Sequence, residues 1–304
     1  MPEPVIVGFD GSEHGSDALA LGRTLGDALG TGLLVIIAYT PEKWRWAPGT
    51  ASPMDANERK LVVARAEAAL SGLDDVEVRA VGSRSAARVL HAEAERERAQ
   101  LIVIGSTHRG AVGRVLFGTV TQEALDAAPC PVAVAPVGLS SKQPLHFSTI
   151  GVGFDDTPAA HDALGVARSL ARGAQAELQL IWGAHLLAQT VAIEVLQPGY
   201  AQEVRARLEN RLKLAADPMR EEGMAVHTVI VGGLTTDALV EQSEHLDLLV
   251  LGSRGYGPLK RVLLGSISMS VVNAARCPVL VVPRETSTPG EEEPPAEPTA
   301  RHVA

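Results

Sequence analysis

The sequence contains two similar copies of one long segment, and this duplication constrains the fold more than any other feature of the 304-residue chain. The segment Val5–Asp10, VIVGFD, returns 145 residues later as Ile150–Asp155, IGVGFD. Two further segments return after 147 residues: LIVIG at 101–105 as LLVLG at 248–252, and CPVAVAP at 130–136 as CPVLVVP at 277–283. Solenoid repeats span about 20 to 50 residues, so a period of this size indicates two copies of a whole domain.

Strand and helix signals alternate within each copy. Short apolar runs such as VIVGF, LLVIIAY and LIVIG are typical of strands buried on both faces of a parallel sheet. Segments with helical spacing separate them, at 15–29, 55–70, 85–99 and 119–127 in the first copy and at 157–172, 201–222, 235–245 and 266–275 in the second. The pattern predicts an α/β fold of two tandem five-stranded parallel-sheet sandwiches, Rossmann-like in architecture, with ligands at the carboxyl ends of the strands.

The repeat divides the chain into domains. We predict a first domain over residues 1–137, a polar, turn-rich linker over 138–148 and a second domain over 149–284. Residues 285–304 are rich in Glu and Pro and nearly free of large apolar side chains. They are predicted to form a disordered tail.

Composition narrows the classes of function. With 46% hydrophobic and 21% charged residues, the chain can build a core in each copy. The net charge of −9 disfavours nucleic acid and anionic membranes as partners. Two cysteines, Cys130 and Cys277, are too few for a disulfide framework or a four-cysteine zinc site, and no apolar run approaches the ~18 residues of a membrane span. We therefore expect a cytoplasmic protein.

A glycine-rich loop follows the fourth strand of the second copy. It reads GSRGYGPLKRVLLGS at 252–266, with the spacing Gly, two residues, Gly, nine residues, Gly-Ser, and a predicted helix comes next. Glycines permit left-handed backbone angles and close approach, so main-chain N–H groups can turn toward an anion, and the helix N-terminus adds positive potential. The loop predicts a phosphate site that is neither a Walker P-loop nor a Gly-x-Gly-x-x-Gly turn.

Both copies resemble the universal stress protein family, whose ATP-binding members carry the same Gly-x2-Gly-x9-Gly-Ser/Thr spacing. The resemblance covers Val5 to Pro283, because the aspartate after the first strand, the loop and the closing Pro-Val strand occur in the same order twice. It implies an adenine-nucleotide-binding fold with ATP at each sheet and any Mg²⁺ held largely by the phosphates. It also implies that the last strands of the two halves pair edge to edge, imitating a dimer within one chain, while homodimerisation of the chain stays open.

The resemblance assigns a set of ATP-binding residues to each half. In the second half they are Gly153, Asp155, Gly183, Gly252, Ser253, Arg254, Gly255, Gly257, Gly265, Ser266 and Ile267. In the first half they are Gly8, Asp10, Ala38, Gly105, Ser106, His108, Arg109, Gly110, Gly118 and Thr119. His108 stands where the motif has its second glycine, so the second half carries the stronger expectation of a nucleotide site.

Structural roles compete with ligand contact at several positions. Asp10 and Asp155 can each contact a ribose or hold the turn before the first helix of their half, and both alternatives stand. The basic side chains along the two loops can contact phosphate or remain solvated; they are Arg109, Arg114, Arg254, Lys260 and Arg261. Trp44 and Trp46 are expected to pack against neighbouring residues rather than to contact adenine. The cysteines are expected to serve only as small packing residues at the starts of strands. The histidines show no metal-binding spacing.

The sequence shows no catalytic constellation such as a Gly-x-Ser-x-Gly elbow, a kinase signature or a general base for hydrolysis. The leading hypothesis is a non-enzymatic, ATP-dependent regulator or sensor of the stress response that is read by an unidentified protein partner. The second hypothesis is a slow ATPase or autophosphorylating enzyme, with Ser253, Ser266 or Thr119 as the acceptor. The third is an interaction protein with degenerate nucleotide sites.

Overall fold

The computed structural model describes residues 3–41, 54–71, 75–106, 119–142, 144–184, 199–253 and 265–283. Strands and helices alternate through both halves. The first half contains β1 (Val5–Gly8), α1 (Glu13–Leu29), β2 (Leu33–Tyr39), α2 (Ala56–Ala69), β3 (Val76–Gly82), α3 (Ala86–Glu97), β4 (Leu101–Gly105), α4 (Thr119–Leu125) and β5 (Val132–Ala135). The second half contains β6 (Thr149–Gly153), α5 (Pro158–Ala174), β7 (Glu177–Ala184), α6 (Tyr200–Glu221), β8 (Val226–Gly232), α7 (Thr235–Gln242), β9 (Leu248–Gly252), α8 (Ser266–Ala274) and β10 (Val279–Val282).

The sheet confirms the predicted fold class. Within each half the five strands are parallel, in the order β3-β2-β1-β4-β5 and β8-β7-β6-β9-β10. The winding direction reverses between β1 and β4 and again between β6 and β9. In open α/β sheets a crevice forms at such a reversal, beyond the carboxyl ends of the two strands.

The two halves share one sheet. Strands β5 and β10 pair antiparallel, with Val132 opposite Val281 and Val134 opposite Val279. This pairing joins the two five-stranded sheets into a ten-stranded one, as the resemblance implied. Because each of these strands would otherwise expose an unpaired edge, their pairing also protects both edges from association with other chains.

Helices cover both faces of the sheet, which explains why the strands are apolar throughout. In β1, Val5 and Val7 face the core beneath α1 and α2, whereas Ile6 faces the core beneath α3 and α4. Each of the two cores continues into the second half, one under α5 and α6 and the other under α7 and α8. Strands covered on both faces have no solvent side on which alternating polar residues would be favoured.

The segment predicted as a linker is polar in sequence yet packed against the fold. Its apolar side chains Leu139 and Phe147 are buried, and Leu139–Lys142 forms a 3-10 helix. Asp17 of α1 is only 1% exposed, and its carboxylate accepts hydrogen bonds from the Gly138 N–H at 2.8 Å and from the Ser140 N–H and Oγ at 2.7 Å each. The linker is therefore anchored to the first half.

Candidate functional site

Each half has a cavity at the carboxyl ends of the strands where the winding reverses. The second cavity has a volume of about 510 Å³ and lies beyond β6 and β9. The first lies beyond β1 and β4 and has a volume of about 310 Å³. The second cavity is lined by the predicted residues Gly153, Asp155, Gly183, Gly252, Ser253 and Ile267, and the first by Gly8, Asp10, Ala38, Gly105 and Ser106.

An aspartate at the mouth of each cavity organises the turn before the first helix of its half. Asp155 Oδ1 accepts hydrogen bonds from the N–H and the Oγ1 of Thr157, at 3.2 and 2.6 Å. Thr157 is in turn the N-cap of α5, accepting from the Ala160 N–H. Asp10 and Ser12 repeat this arrangement before α1. The turn role proposed from the sequence is thus present, and in both aspartates it occupies Oδ1 alone among contacts with described residues.

The first motif glycine of each half is needed because a helix crosses it. A Cβ on Gly252 would lie 2.4 Å from the carbonyl oxygen of Ala159, at the start of α5. A Cβ on Gly105 would lie 2.3 Å from the carbonyl oxygen of His14. The sequence argument from left-handed backbone angles is wrong for the described motif glycines of the second half, because neither Gly252 nor Gly265 has a positive φ. The sequence argument also invoked close backbone approach, and the structure requires a glycine at 252 for that reason, because the Ala159 backbone lies against it.

A buried serine follows that glycine in each half. Ser253 is completely buried and Ser106 is 2% exposed, and each lines its cavity. The Oγ atom of each has no hydrogen-bond partner among the residues that the structure describes. Leaving a buried hydroxyl unpaired costs about 1 to 3 kcal/mol, so a pair of such groups at equivalent positions calls for a partner from outside these residues.

The N-terminus of α8 faces the second cavity. Its N-cap, Gly265, is extended at φ −68° and ψ 159° and supplies no side-chain cap. Ser268 in the first turn lines the cavity, and its Oγ donates to the Gly252 carbonyl at 3.1 Å, tying the helix to the end of β9. Thr121 of α4 binds the Gly105 carbonyl in the same way at 3.3 Å. The first N–H groups of a helix lack intrahelical partners and carry positive potential.

The ends of the second strands close the inner side of the cavities. A Cβ on Gly183 would lie 2.8 Å from the Cα of Thr235, so a glycine here lets α7 begin against β7. The Thr235 hydroxyl donates to the Gly183 carbonyl at 3.1 Å. The first half has Ala38 and Ala86 at the equivalent positions, and both line its cavity.

Several predicted residues fall outside the described ranges. In the second half these are Arg254, Gly255 and Gly257, with Lys260 and Arg261, and in the first half His108, Arg109, Gly110, Arg114 and Gly118. Trp44, Trp46 and the predicted tail at 285–304 also lie outside. Thr119 and Ser266 begin α4 and α8.

Other lining residues were missed by the sequence analysis. They include Phe154, Thr157, Ala159, Thr235 and Ser268 in the second cavity and His14, Gly15, Leu90 and Thr121 in the first. A signal was available for Thr157, because it and Ser12 are 145 residues apart and each follows the repeated aspartate by two positions. Hydroxyls at equivalent places in two copies are good N-cap candidates. Among the apolar members, Phe154 recurs as Phe9 before the repeated aspartate, whereas no such recurrence marked Ala159.

The cysteines are unsuited to chemistry. Burial raises the pKa of the Cys130 and Cys277 thiols to about 12 in each case. A thiol is a nucleophile or metal ligand only as its thiolate, so these side chains are inert near neutral pH. Across the described ranges, no three His, Cys, Asp or Glu side chains come together as metal ligands. No helix within those ranges combines the length and the apolar character needed to cross a bilayer.

The fold and its crevices define a duplicated, doubly wound α/β protein with one candidate ligand site in each half. The profile of the Universal stress protein family matches residues 1–136 and 146–283. The chain therefore belongs to the universal stress protein family, with two such domains in tandem.

Relatives of this family match the chain along nearly their whole length. A universal stress protein of Mycobacterium tuberculosis is 30% identical over 288 residues, covering 91% of this chain and 96% of the relative. One from Mycolicibacterium smegmatis is 30% identical over 294 residues, with the same coverage of both chains. The crystal structure of a universal stress protein from Archaeoglobus fulgidus superposes with a TM-score of 0.67 at 20% identity, covering 93% of this chain and 98% of that one, which supports the fold.

Proposed function

We propose that the second half binds ATP in its cavity and that the protein acts as a nucleotide-dependent regulator in the stress response, without turnover of the nucleotide. The observation that carries this proposal is the Ser253 hydroxyl, which is completely buried, lines the cavity and lacks a partner among the described residues. A phosphate oxygen is an acceptor that can satisfy such a donor.

The surroundings of Ser253 favour a ligand that carries phosphates. The first turn of α8 faces the same cavity through Ile267 and Ser268, and no described side chain caps this helix. A helix N-terminus with free N–H groups is a common site for phosphate binding. The cavity volume of about 510 Å³ lies within the range of small-molecule sites.

Asp155 suits the sugar of a nucleotide better than its phosphates. Its Oδ1 is held by Thr157, and the residue lines the cavity, so the carboxylate can accept hydrogen bonds from ribose hydroxyls. Mg²⁺, when bound, would offset phosphate charge and be held mainly by the phosphates, since Asp155 is the one carboxylate among the described lining residues.

The described lining residues favour binding without hydrolysis. Asp155 is the only ionisable side chain among them, and in this proposal its carboxylate contacts the ribose rather than a water molecule beside the phosphates. A bound nucleotide can then act by stabilising one conformation of the protein, which a partner or a second copy recognises. We also propose a cytoplasmic location, in keeping with the two free thiols.

The test is a comparison of Ser253→Ala with Ser106→Ala, the same change in the other half. Loss of a hydrogen bond to a charged ligand is worth about 1.5 to 3 kcal/mol, so Ser253→Ala should weaken ATP binding by about 10- to 100-fold in isothermal titration. Removing an unpaired hydroxyl should leave the stability equal or higher. Ser106→Ala should leave the affinity of the second site unchanged.

Two outcomes would favour the other hypotheses. If purified protein at saturating ATP releases ADP over hours and Ser253→Ala stops the release, the protein is a slow ATPase or autophosphorylating enzyme. If neither ATP nor AMP binds to either half, it is an interaction protein with degenerate sites.

A further inference from the structure

The two cavities differ although they occupy the same place in their halves. The second has a volume of about 510 Å³ and the first only about 310 Å³. Glycine, aspartate and serine recur at matching positions: Gly8 and Gly153, Asp10 and Asp155, Ser106 and Ser253. The polar residues proposed to bind a nucleotide are therefore present in both halves, but the first cavity leaves less space beside them.

Several matched pairs of described lining residues differ in size, by one or two heavy atoms in every pair but one. Ala38 and Ala86 of the first half replace Gly183 and Thr235 of the second. These two exchanges largely offset each other, because the first adds a methyl group and the second removes a hydroxyl and a methyl group. The exception is the pair of His14 and Ala159, in which the residue that lines the first cavity carries an additional imidazole.

The backbone fixes where this imidazole starts. The Cβ atoms of His14 and Ala159 each lie 3.0 Å from the point that a Cβ would occupy on Gly105 or Gly252. The two side chains therefore begin at equivalent points, at the end of the strand that leads into the motif loop. Beyond Cβ, Ala159 has no further side-chain atoms, whereas His14 carries an imidazole, and His14 and Ser106 both line the first cavity.

We propose that the first cavity takes an adenine nucleoside carrying at most one phosphate, and that His14 excludes the longer phosphate chain that the second cavity accepts. This inference rests on the proposed function and assigns a different ligand class to each half. In this proposal the phosphates lie beside the serine of each half, where the imidazole takes up space that Ala159 leaves open. The sequence favoured the second site because of His108, which lies outside the described ranges; His14 is an independent reason.

The test exchanges the two residues in the full chain. Wild type, His14→Ala and Ala159→His are titrated with ATP, AMP and adenosine, and photo-crosslinking with 8-azido-ATP and 8-azido-AMP assigns each ligand to a half. We expect wild type to bind one ATP per chain, crosslinked in the second half, and to bind AMP or adenosine in the first. His14→Ala should improve ATP binding in the first half by about tenfold or more. Ala159→His should weaken ATP in the second half while AMP still binds there.

The control is Glu13→Ala, which removes the exposed neighbour of His14 and should leave every stoichiometry unchanged. ATP labelling of both halves in wild type would overturn the inference and leave the proposed function standing. So would a first half that takes no adenosine ligand, or a His14→Ala variant whose first half still rejects ATP. If no ligand binds to either half of wild type, the proposed function fails and this inference with it. Should Ala159→His not fold, His14→Ala alone decides.

Discussion

The carboxylate of Asp155 has two roles to reconcile, one in holding the turn before α5 and one in the proposed contact with a ribose. Oδ1 holds the turn through Thr157, whereas Oδ2 makes no hydrogen bond with a described residue. The sequence left ribose contact and a turn role as alternatives. The geometry makes them compatible, because each can use a different oxygen.

Substitution of Asp155 separates these tasks. Asp155→Asn keeps an acceptor for Thr157, so its free energy of unfolding should stay within about 0.5 kcal/mol of wild type. Asp155→Ala removes the turn contacts and should cost about 1 kcal/mol. Both variants should bind ATP about 10- to 100-fold more weakly, since neither presents a carboxylate oxygen to the ribose. Urea denaturation and isothermal titration measure the two effects.

The matched control is Asp156→Asn, which alters an exposed hydrogen bond with His161 at 2.9 Å and an ion pair with Arg211 at 3.1 Å. Such pairs contribute little, so ATP affinity should not change. Wild-type ATP affinity in Asp155→Asn would contradict the ribose contact and leave only the turn.

Sequence reasoning named polar residues that line the second cavity and missed the shape of that cavity. Asp155 and Ser253 could be found because they recur in both copies next to strands that recur as well. The burial of Ser253 and the exchange of Ala159 for His14 depend on how α5 and α1 cross the ends of β9 and β4. That crossing is a tertiary contact, for which spacing along the chain holds no signal.

Among the elements, α3 is joined to the edge strand β3 by a cluster of ion pairs. The guanidinium of Arg79 on β3 contacts Glu93 at 2.6 Å and Glu97 at 3.0 Å, and Arg96 also pairs with Glu93. Glu93 is 7% exposed. Burial raises its pKa above the usual 4.5, Arg79 opposes the rise, and the carboxylates of Glu97 and Glu77 add to it.

The raised pKa of Glu93 predicts a pH dependence of stability. The folded protein holds this proton more tightly than the unfolded chain, so the contribution of Glu93 to stability is fully present below pH 4.5 and is lost as pH rises through the folded pKa. Glu93→Gln lacks this titration and keeps an oxygen for the arginines. Urea denaturation between about pH 4 and pH 8 should show the variant gaining stability relative to wild type as pH rises. A constant difference, or one that falls, would show that the arginines outweigh burial.

Most helices could be placed from the sequence because their first residues carry local signals. Ser12, Ser85 and Thr157 each cap a helix by accepting an N–H three residues later, close to the predicted starts at 15, 85 and 157. The C-terminal ends were less certain: the helix predicted over 235–245 ends at Gln242 and continues as a 3-10 turn. A tighter turn has nearly the same side-chain periodicity, so the sequence pattern does not distinguish the two.

Among the described residues, contacts at the sheet, at the linker and between two helices join the halves of the molecule. Strands β5 and β10 pair, Asp17 binds the linker, and α1 packs against α5. The pairing of the strands was expected from the family resemblance. The helix contact was not, because Gly173 and Ala28, which meet there, are 145 residues apart and look like ordinary small helical residues.

Gly173 makes the contact between the halves testable with a control on the same helix. A Cβ at Gly173 would lie 1.7 Å from the Ala28 carbonyl oxygen, whereas one at Gly165 would meet nothing within 4 Å. Replacing glycine by alanine in a helix normally adds about 0.5 to 1 kcal/mol of stability, which we expect for Gly165→Ala. Gly173→Ala should instead lose about 1 to 3 kcal/mol, because α5 must move away from α1. Urea denaturation of the two variants measures the contrast, and equal gains in both would mean that α1 and α5 do not touch closely in solution. Since the starts of these helices also line the two cavities, Gly173→Ala should further show whether separating the halves changes ATP affinity in the second one.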